Sequence, residues 1–231
     1  MLPEVRQFLE TLLLAVGALL PIVNPLGGAP IYLAKTGDLS VDEHRDMSRR
    51  VAINCFMLLL VSTFIGAYVL DFFGLSIPAV QVAGGAVVCA IGWNLLNEPD
   101  AMPRTANDAV RATTSTDLAR RAFYPLTMPL TVGPGSISVA ITLGANQPAD
   151  VRALIATSFG HIAGILIVVL TVFLCYRYAD AILHKLGEVG TAIVTRLTAF
   201  ILLCIGVQIF WNGASALLGS LAHDTHKQIA Y

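Results

Sequence analysis

Long apolar stretches alternate with short polar ones along the whole chain, and almost every charged residue lies in the polar parts. The hydrocarbon core of a bilayer is about 30 Å thick, so a helix crosses it with roughly 20 apolar residues. A charged side chain at the centre of such a helix costs about 2.5–3.5 kcal/mol, and the apolar stretches exclude such charges. Six stretches are long enough and predict six transmembrane helices: residues 11–34, 51–70, 75–96, 122–151, 153–176 and 197–223.

Composition agrees with a membrane protein. Apolar residues make up 56% of the chain and charged residues 13%, and the mean hydropathy is +0.74. Soluble domains carry about 25% charged residues, so much of this surface faces something other than water. The net charge of −1 and the lack of a Lys/Arg cluster argue against nucleic acid as a partner. We expect an all-α protein in a lipid bilayer, with no enzymatic activity and no metal or cofactor, since no nucleotide or metal motif is found.

The distribution of Lys and Arg predicts how the chain is oriented. These residues mark the cytoplasmic side of membrane helices. Over six crossings, 11 of the 14 Lys and Arg residues fall on one side and 3 on the other. Both termini belong to the side with three, so we predict that they face the periplasm or exterior. The longest polar stretch, residues 98–121, lies on the basic side and is predicted to be a cytoplasmic linker between residues 1–97 and 122–231.

The two halves on either side of this linker resemble each other weakly. Pro25 aligns with Pro134 at an offset of 109, and an offset of 115 later pairs Asn97 with Asn212. Each half has three predicted helices, which is an odd number, so the second copy must enter the membrane from the opposite side. Two inverted three-helix repeats are the architecture of many secondary transporters, in which exchange between the halves gives alternating access.

Helices one and four are both interrupted by proline and glycine at equivalent positions. Proline removes a backbone donor, and freed backbone groups inside a bilayer must be satisfied by protein or by a water-lined cavity. Each resumed half-helix would present free N–H groups and a positive dipole end, which suit a carboxylate. An ordinary structural kink is the alternative. The candidate substrate-binding residues are Asn24, Pro25, Gly27, Gly28, Thr131, Gly133, Pro134, Gly135 and Ser136.

Three further polar residues are candidates for ion coupling or a proton relay. His161 is an ionisable group about 13 Å into the bilayer from Arg152, at 1.5 Å per residue. Asn97 and Asn212 are the other two, although hydrogen bonding between helices is the commoner role of such side chains. A buried Asp or Glu is not available for proton coupling, whereas Na⁺ bound by freed carbonyls remains open.

Two other functions stay open beside transport of a small neutral solute. Cys55, Cys89, Cys175 and Cys204 all lie inside apolar runs, where we expect them to be small apolar fillers. The 115-residue offset pairs Cys89 with Cys204, so a carrier of thiol electrons is one alternative, but the broken helices contain no Cys. A membrane accessory protein that transports nothing is the other alternative.

At the two breaks the sequence resembles the MarC family of bacterial and archaeal inner-membrane proteins, relatives of the LysE-type exporters. The resemblance covers the whole chain and is most specific in NPLG at residues 24–27 and PLTVGPGSI at residues 129–137. It implies a multi-pass protein of the bacterial inner membrane that transports small neutral amino acids, and a homo-oligomer stays open. One departure is Gln81, which stands where the resemblance implies an arginine, as Arg196 does in the second half.

Overall fold

The computed structural model describes residues 3–97, 115–145, 148 and 150–229, and within these ranges it contains helices and no strand. A proline-rich segment of wide helical turns occupies Ala122–Thr131. The helices are α1 (Pro3–Val23), α2 (Pro25–Thr36), α3 (Val41–Phe72), α4 (Ile77–Asn97), α5 (Ser115–Arg121), α6 (Pro134–Ala145), α7 (Val151–Arg177) and α8 (Ala179–Ile229).

The described helices account for the predicted crossings. Five are long and apolar enough to span a bilayer: Pro3–Thr36, Val41–Phe72, Ile77–Asn97, Val151–Arg177 and Ala192–Gly219. A sixth span is formed if the pair Asp117–Thr131 and Pro134–Ala145, bent by 72°, crosses as one. The all-α fold and the break in the fourth span are therefore confirmed. Of the predicted linker, the last seven residues form α5, and residues 98–114 lie outside the described residues.

Side-chain caps set where the water-facing helix ends lie. The Ser40 hydroxyl accepts from the Glu43 backbone N–H, and the Glu43 carboxylate accepts from the Ser40 backbone N–H, so α3 begins with a capping box. Asp150 caps α7 in a similar way, through the Ala153 N–H at 3.0 Å. Gly74, with φ of +66°, makes the turn between α3 and α4. These polar turns separate the apolar spans.

Glycine contacts give the relative directions of the helices. Gly160 of α7 packs against Thr11 of α1, and Gly164 against Ala15, so these two helices run parallel. In contrast, α4 and α8 run antiparallel. We call the end of the bundle where α1 begins the near end; the turn at residues 73–76 also lies there. The opposite end, which holds the turn at residues 37–40, is the far end.

The outside of the bundle is apolar and its interior is closely packed. Large apolar side chains such as Leu13, Phe72 and Trp93 are more than half exposed, which suits a surface that contacts lipid rather than water. The buried core contains Val23, just before the first break, and Val132, within the second. It also contains Tyr32 and Tyr176. The packed centre of the molecule therefore surrounds the breaks.

Reciprocal glycine contacts join α4 to α8. A Cβ on Gly85 would meet the Gly206 carbonyl oxygen at 2.8 Å, and one on Gly206 would meet that of Gly85 at 3.0 Å. Gly92 packs in the same way on α8, and Gly213 on α4. In the sequence, Gly206 follows Gly85 by 121 residues, and Gly213 follows Gly92 by the same number.

The repeat offset of 115, which makes Asn97 equivalent to Asn212 and Cys89 to Cys204, stays a prediction, because the contacts of an antiparallel helix pair do not fix such an offset. Glycine sets how closely two helices approach in a membrane, and it therefore decides the register of contact.

Candidate functional site

The first break is built by one residue in a left-handed conformation. Asn24 has φ of 49° and ψ of 63°, and it is the one non-glycine residue with positive φ in the described ranges. Asn tolerates this conformation better than most residues because its short side chain can bond locally. Its Oδ1 accepts from the Gly27 N–H at 3.3 Å and caps α2, which begins at Pro25. The chain is interrupted here with little change of direction.

The second break is longer and bends the chain by 72°. Tyr124 and Met128, each followed by a proline, have extended backbone angles within the proline-rich segment. Val132 is also extended, and α6 then begins at Pro134. The Gly133 carbonyl accepts from the Ile137 N–H at 3.1 Å and from the Ser136 hydroxyl at 3.0 Å. The two resumed helices, α2 and α6, each have 12 residues.

A single side chain, Tyr176 of α7, connects the two breaks. Its hydroxyl lies 2.8 Å from Thr131 Oγ1. The Thr131 hydroxyl donates to the Leu126 carbonyl at 2.7 Å, so Tyr176 is the donor in its bond to Thr131. On the other side, a Cβ added at Gly28 would lie 2.6 Å from the Tyr176 hydroxyl oxygen. The absence of a side chain at Gly28 is therefore what allows Tyr176 to reach Thr131.

Protein side chains fill the space beside the predicted glycines. Gly27 packs against Thr198 of α8, and Gly135 packs against Val88 of α4, each closely enough that a Cβ would overlap the neighbour. The sequence predicted a polar cavity at this point. Solute binding at Gly27, Gly28 and Gly135 stays a prediction, and it requires these neighbouring side chains to move.

The far end of the bundle is closed by aromatic and ionic contacts. The rings of Tyr32 and Tyr176 stack with centroids 4.4 Å apart, and the Tyr32 hydroxyl donates to the His44 carbonyl at 3.1 Å. Arg121 donates to both carboxylate oxygens of Asp38, at 2.8 and 2.9 Å, and to the Lys35 carbonyl at 2.9 Å. The guanidinium of Arg121 holds the pKa of Asp38 below its usual range. These contacts tie the turn after α2 to the start of the fourth span.

The near half of the bundle instead contains a cavity of about 170 Å³. It is lined by residues of α1, α4, α6 and α8: Ala18, Gln81, Val139, Thr142, Leu143, Ile209 and Asn212. The Gln81 amide donates to Thr142 Oγ1 at 3.0 Å, and the Thr142 hydroxyl donates to the Ser138 carbonyl at 2.9 Å. Sequence reasoning noticed Asn212 but missed Thr142, and it noticed Gln81 only as a departure from a pattern. Gln81, Thr142 and Asn212 lie far apart in the sequence, so no local pattern connects them.

The three predicted coupling residues lie apart. His161 is buried in α7, with its ring 6.5 Å from that of Phe64, and its Nδ1 has no hydrogen-bond partner in the described part of the chain. Asn97 is exposed at the end of α4 and donates to the Trp93 carbonyl of its own helix. Asn212 lines the near-half cavity. The structure therefore brings none of the three together, and their coupling role stays a prediction.

Neither a cluster of metal-binding side chains nor a disulfide occurs in the described part of the chain. No group of three or more His, Cys, Asp or Glu side chains that could hold a metal ion occurs among the described residues. All four cysteines are free thiols, with Cys55 and Cys175 buried in the helix core. Cys89 donates weakly to the Leu203 carbonyl at 3.8 Å, in the contact between α4 and α8.

Comparison with known proteins agrees with the two motifs. Residues 9–218 match the MarC family of integral membrane proteins. The chain is 30% identical over 213 residues to the inner membrane protein MarC of Salmonella typhimurium, an alignment that covers 87% of this chain and 92% of that protein. The MarC protein of Escherichia coli strain UTI89 is 31% identical over 209 residues, with 84% and 90% covered. No solved structure gives a significant match. The chain therefore belongs to the MarC family of integral membrane proteins.

Proposed function

We propose that this protein is a secondary transporter of a small neutral solute and works by alternating access. The observation that carries the proposal is the pair of broken spans. Each resumes as a 12-residue helix that begins at a proline, and both breaks contact Tyr176. Interrupted helices that meet in the centre of a membrane protein are typical of transporter binding regions. A static anchor or scaffold does not need two of them.

The packing of the helices supports two inverted repeats. The first half's α1 packs on α7, and the proline-rich segment packs correspondingly on α3. In the same way α2 packs on α8, and α6 packs on α4. If α1 is exchanged with the proline-rich segment, α2 with α6, α3 with α7 and α4 with α8, each of these contacts becomes another one of them. Such a relation allows the two halves to exchange conformations, which is how alternating access is achieved in many transporters.

The proposed location is the bacterial inner membrane, with both termini outside the cytoplasm. The relatives from Salmonella and Escherichia coli are described as inner membrane proteins, and the 11-to-3 distribution of Lys and Arg supports the orientation. The far end would then face the cytoplasm. A reporter that is active only in the cytoplasm, fused after Tyr231, should stay silent. A strong signal would reverse the orientation.

Small neutral amino acids are the first solutes to test, because the family resemblance implies them. The positive dipole end of α2 or α6 would suit their carboxylate, once the side chains beside Gly27 and Gly135 move. Coupling to Na⁺ through freed carbonyls, or to protons through His161, belongs to the same proposal.

The experiment is solute flux through purified protein in liposomes. We expect labelled glycine, alanine or a small uncharged solute to enter faster than into protein-free liposomes. Pro25→Ala and Pro134→Ala should slow this flux, because a continuous helix restrains exchange between conformations. Pro78→Ala is the matched control, since Pro78 lies in the first turn of α4, where proline fits. Folded protein that moves none of these solutes would favour the accessory function.

A further inference from the structure

We propose that a groove between α1 and α7 at the near end binds one phosphatidylethanolamine molecule of the surrounding bilayer. The groove has a volume of about 520 Å³ and opens on the outside of the bundle. Six residues line it: Glu4, Phe8, Arg152, Ile155, Ala156 and Phe159. The groove lies apart from the two breaks, so the inference does not depend on the proposed transport function.

The packing of α1 on α7 leaves this groove open. Gly160 contacts Thr11, which precedes it by 149 positions. Gly164 contacts Ala15, again 149 positions away. One turn closer to the near end, α7 has Ala156 where a glycine would continue the pattern. Glycine lets two membrane helices approach each other, whereas the alanine side chain holds them further apart. The two helices therefore separate toward the near end.

One residue of each charge lies at the mouth of the groove. Because contacting positions differ by 149, Glu4 is level with the first turn of α7, which carries Arg152. Neither side chain forms an ion pair with another described residue, whereas Arg6 is paired with Glu10 at 2.7 Å. The Asp150 carboxylate, next to Arg152 in the chain, is engaged in capping α7. One carboxylate and one guanidinium thus remain for a ligand.

These groups match the parts of a phosphatidylethanolamine molecule. Arg152 donates to the phosphate, since a guanidinium forms strong parallel hydrogen bonds to such an oxyanion. Glu4 accepts from the ammonium group. Deeper in the bilayer, Phe8, Ile155 and Phe159 provide an apolar wall for an acyl chain. Arg152 and Phe159 are seven residues apart, so this wall follows α7 for about 10 Å.

The two opposite charges select among phospholipids. Phosphatidylglycerol has a phosphate but no cation, so Glu4 would repel its headgroup. Phosphatidylcholine has a quaternary ammonium group, which carries no N–H to donate to the Glu4 carboxylate. Phosphatidylethanolamine supplies both a phosphate for Arg152 and an N–H donor for Glu4. It is therefore the phospholipid that satisfies both residues.

The test compares these three phospholipids with identical acyl chains. The full chain is delipidated in detergent, and each lipid is added in equal amount. Native mass spectrometry counts the lipid molecules retained, and thermal unfolding measures the stabilisation. We expect one phosphatidylethanolamine to be retained about fivefold more tightly than either other lipid, as one partly exposed ion pair allows. The midpoint of unfolding should be highest with the same lipid.

Substitutions at the mouth of the groove assign the two charges. Arg152→Gln should weaken binding of all three lipids about fivefold, because they share the phosphate. Glu4→Gln should remove only the preference, so that phosphatidylglycerol binds at least as well as phosphatidylethanolamine. Arg6→Gln is the matched control, since Arg6 is also a charged residue near the start of α1 but pairs with Glu10 and does not line the groove. It should keep the wild-type preference.

Several results would overturn the inference. Equal retention of the three lipids by the wild type is one, and preferred retention of phosphatidylglycerol is another. An unchanged preference in Glu4→Gln would also contradict it. A dimer that forms without lipid and is lost in Arg152→Gln would show that a second copy of the chain covers the groove instead. The wild-type comparison needs no variant, so misfolding of a variant leaves the inference testable.

Discussion

The two ends of the bundle are held together in different ways. At the far end, stacked tyrosine rings, a buried hydroxyl pair and the Arg121–Asp38 ion pair connect elements of both halves. In the near half, the corresponding space is a cavity whose polar groups belong to Gln81, Thr142 and Asn212. One end is closed by side-chain contacts within the protein, while the other retains room for a small molecule.

The difference indicates which contacts must change if the protein alternates. A transporter closed at one end opens there only by giving up those contacts, and a solute can shift this balance only by binding one state more tightly. The far-end contacts are specific and few, so individual substitutions there should have distinct effects.

Gly28→Ala should weaken the far end most. The added Cβ would lie 2.6 Å from the Tyr176 hydroxyl oxygen, and Tyr176 cannot move easily because it is fully buried and stacked on Tyr32. Overpacking of this kind costs about 1–3 kcal/mol. We expect a lower midpoint of thermal unfolding in detergent, and partial recovery in the double variant Gly28→Ala with Tyr176→Phe, which removes the obstructing oxygen.

Gly17→Ala is the control for that measurement. Gly17 also lies within a helix, but a Cβ there would meet nothing within 4 Å. The same substitution should therefore stabilise α1 by about 0.5–1 kcal/mol, since alanine loses less conformational freedom than glycine. Equal effects at positions 17 and 28 would contradict the tight fit at Tyr176.

Asn24→Ala should have an effect of similar size at the first break. It removes the cap on Gly27 N–H and places a residue with a Cβ but no polar group in the left-handed conformation. The loss of a cap costs about 1 kcal/mol, and the left-handed conformation adds about 1–2 kcal/mol for an ordinary residue. Asn24→Gly should be milder, because glycine adopts this conformation freely. Thermal unfolding that ranks the glycine variant below the alanine variant would show that backbone conformation does not determine the break.

Protonation of Asp38 should have the smallest effect. Its pKa is lowered in the folded protein by the hydrogen bonds from Arg121, so the stabilisation is present above the ordinary carboxyl range and is lost as the pH falls below about 4. Both side chains are about a third exposed, so we expect only about 0.2–1 kcal/mol. Asp38→Asn should flatten part of the acid dependence of unfolding, measured by thermal unfolding at a series of pH values.

Local signals predict the spans and the breaks. Long apolar runs with no charge near their centres give the six crossings, because a bilayer tolerates few charges. Pro25 and Pro134 mark the starts of the resumed helices, because proline suits the first helical turn. The left-handed conformation of Asn24 is not predicted, because a residue before proline is expected to be extended.

Long-range contacts are what the sequence does not predict. The contact between α4 and α8 is one example, since these helices meet through Gly85, Gly92, Gly206 and Gly213. Tyr176 is one aromatic residue among many in apolar runs, and nothing near it in the sequence points to Thr131. The cavity depends equally on residues 61 positions apart, Gln81 and Thr142. Packing in three dimensions, and not local pattern, brings these groups together.

Solute counterflow tests alternating access most directly. Liposomes containing the purified protein are loaded with an excess of unlabelled glycine or glycerol, and a trace of the labelled solute is added outside. A transporter that exposes its site to one side at a time exchanges the two pools, so the label should rise transiently above its equilibrium level. Entry that approaches equilibrium without this overshoot would indicate an open channel, and no entry of either solute would indicate a protein that does not transport them; either result would contradict alternating access.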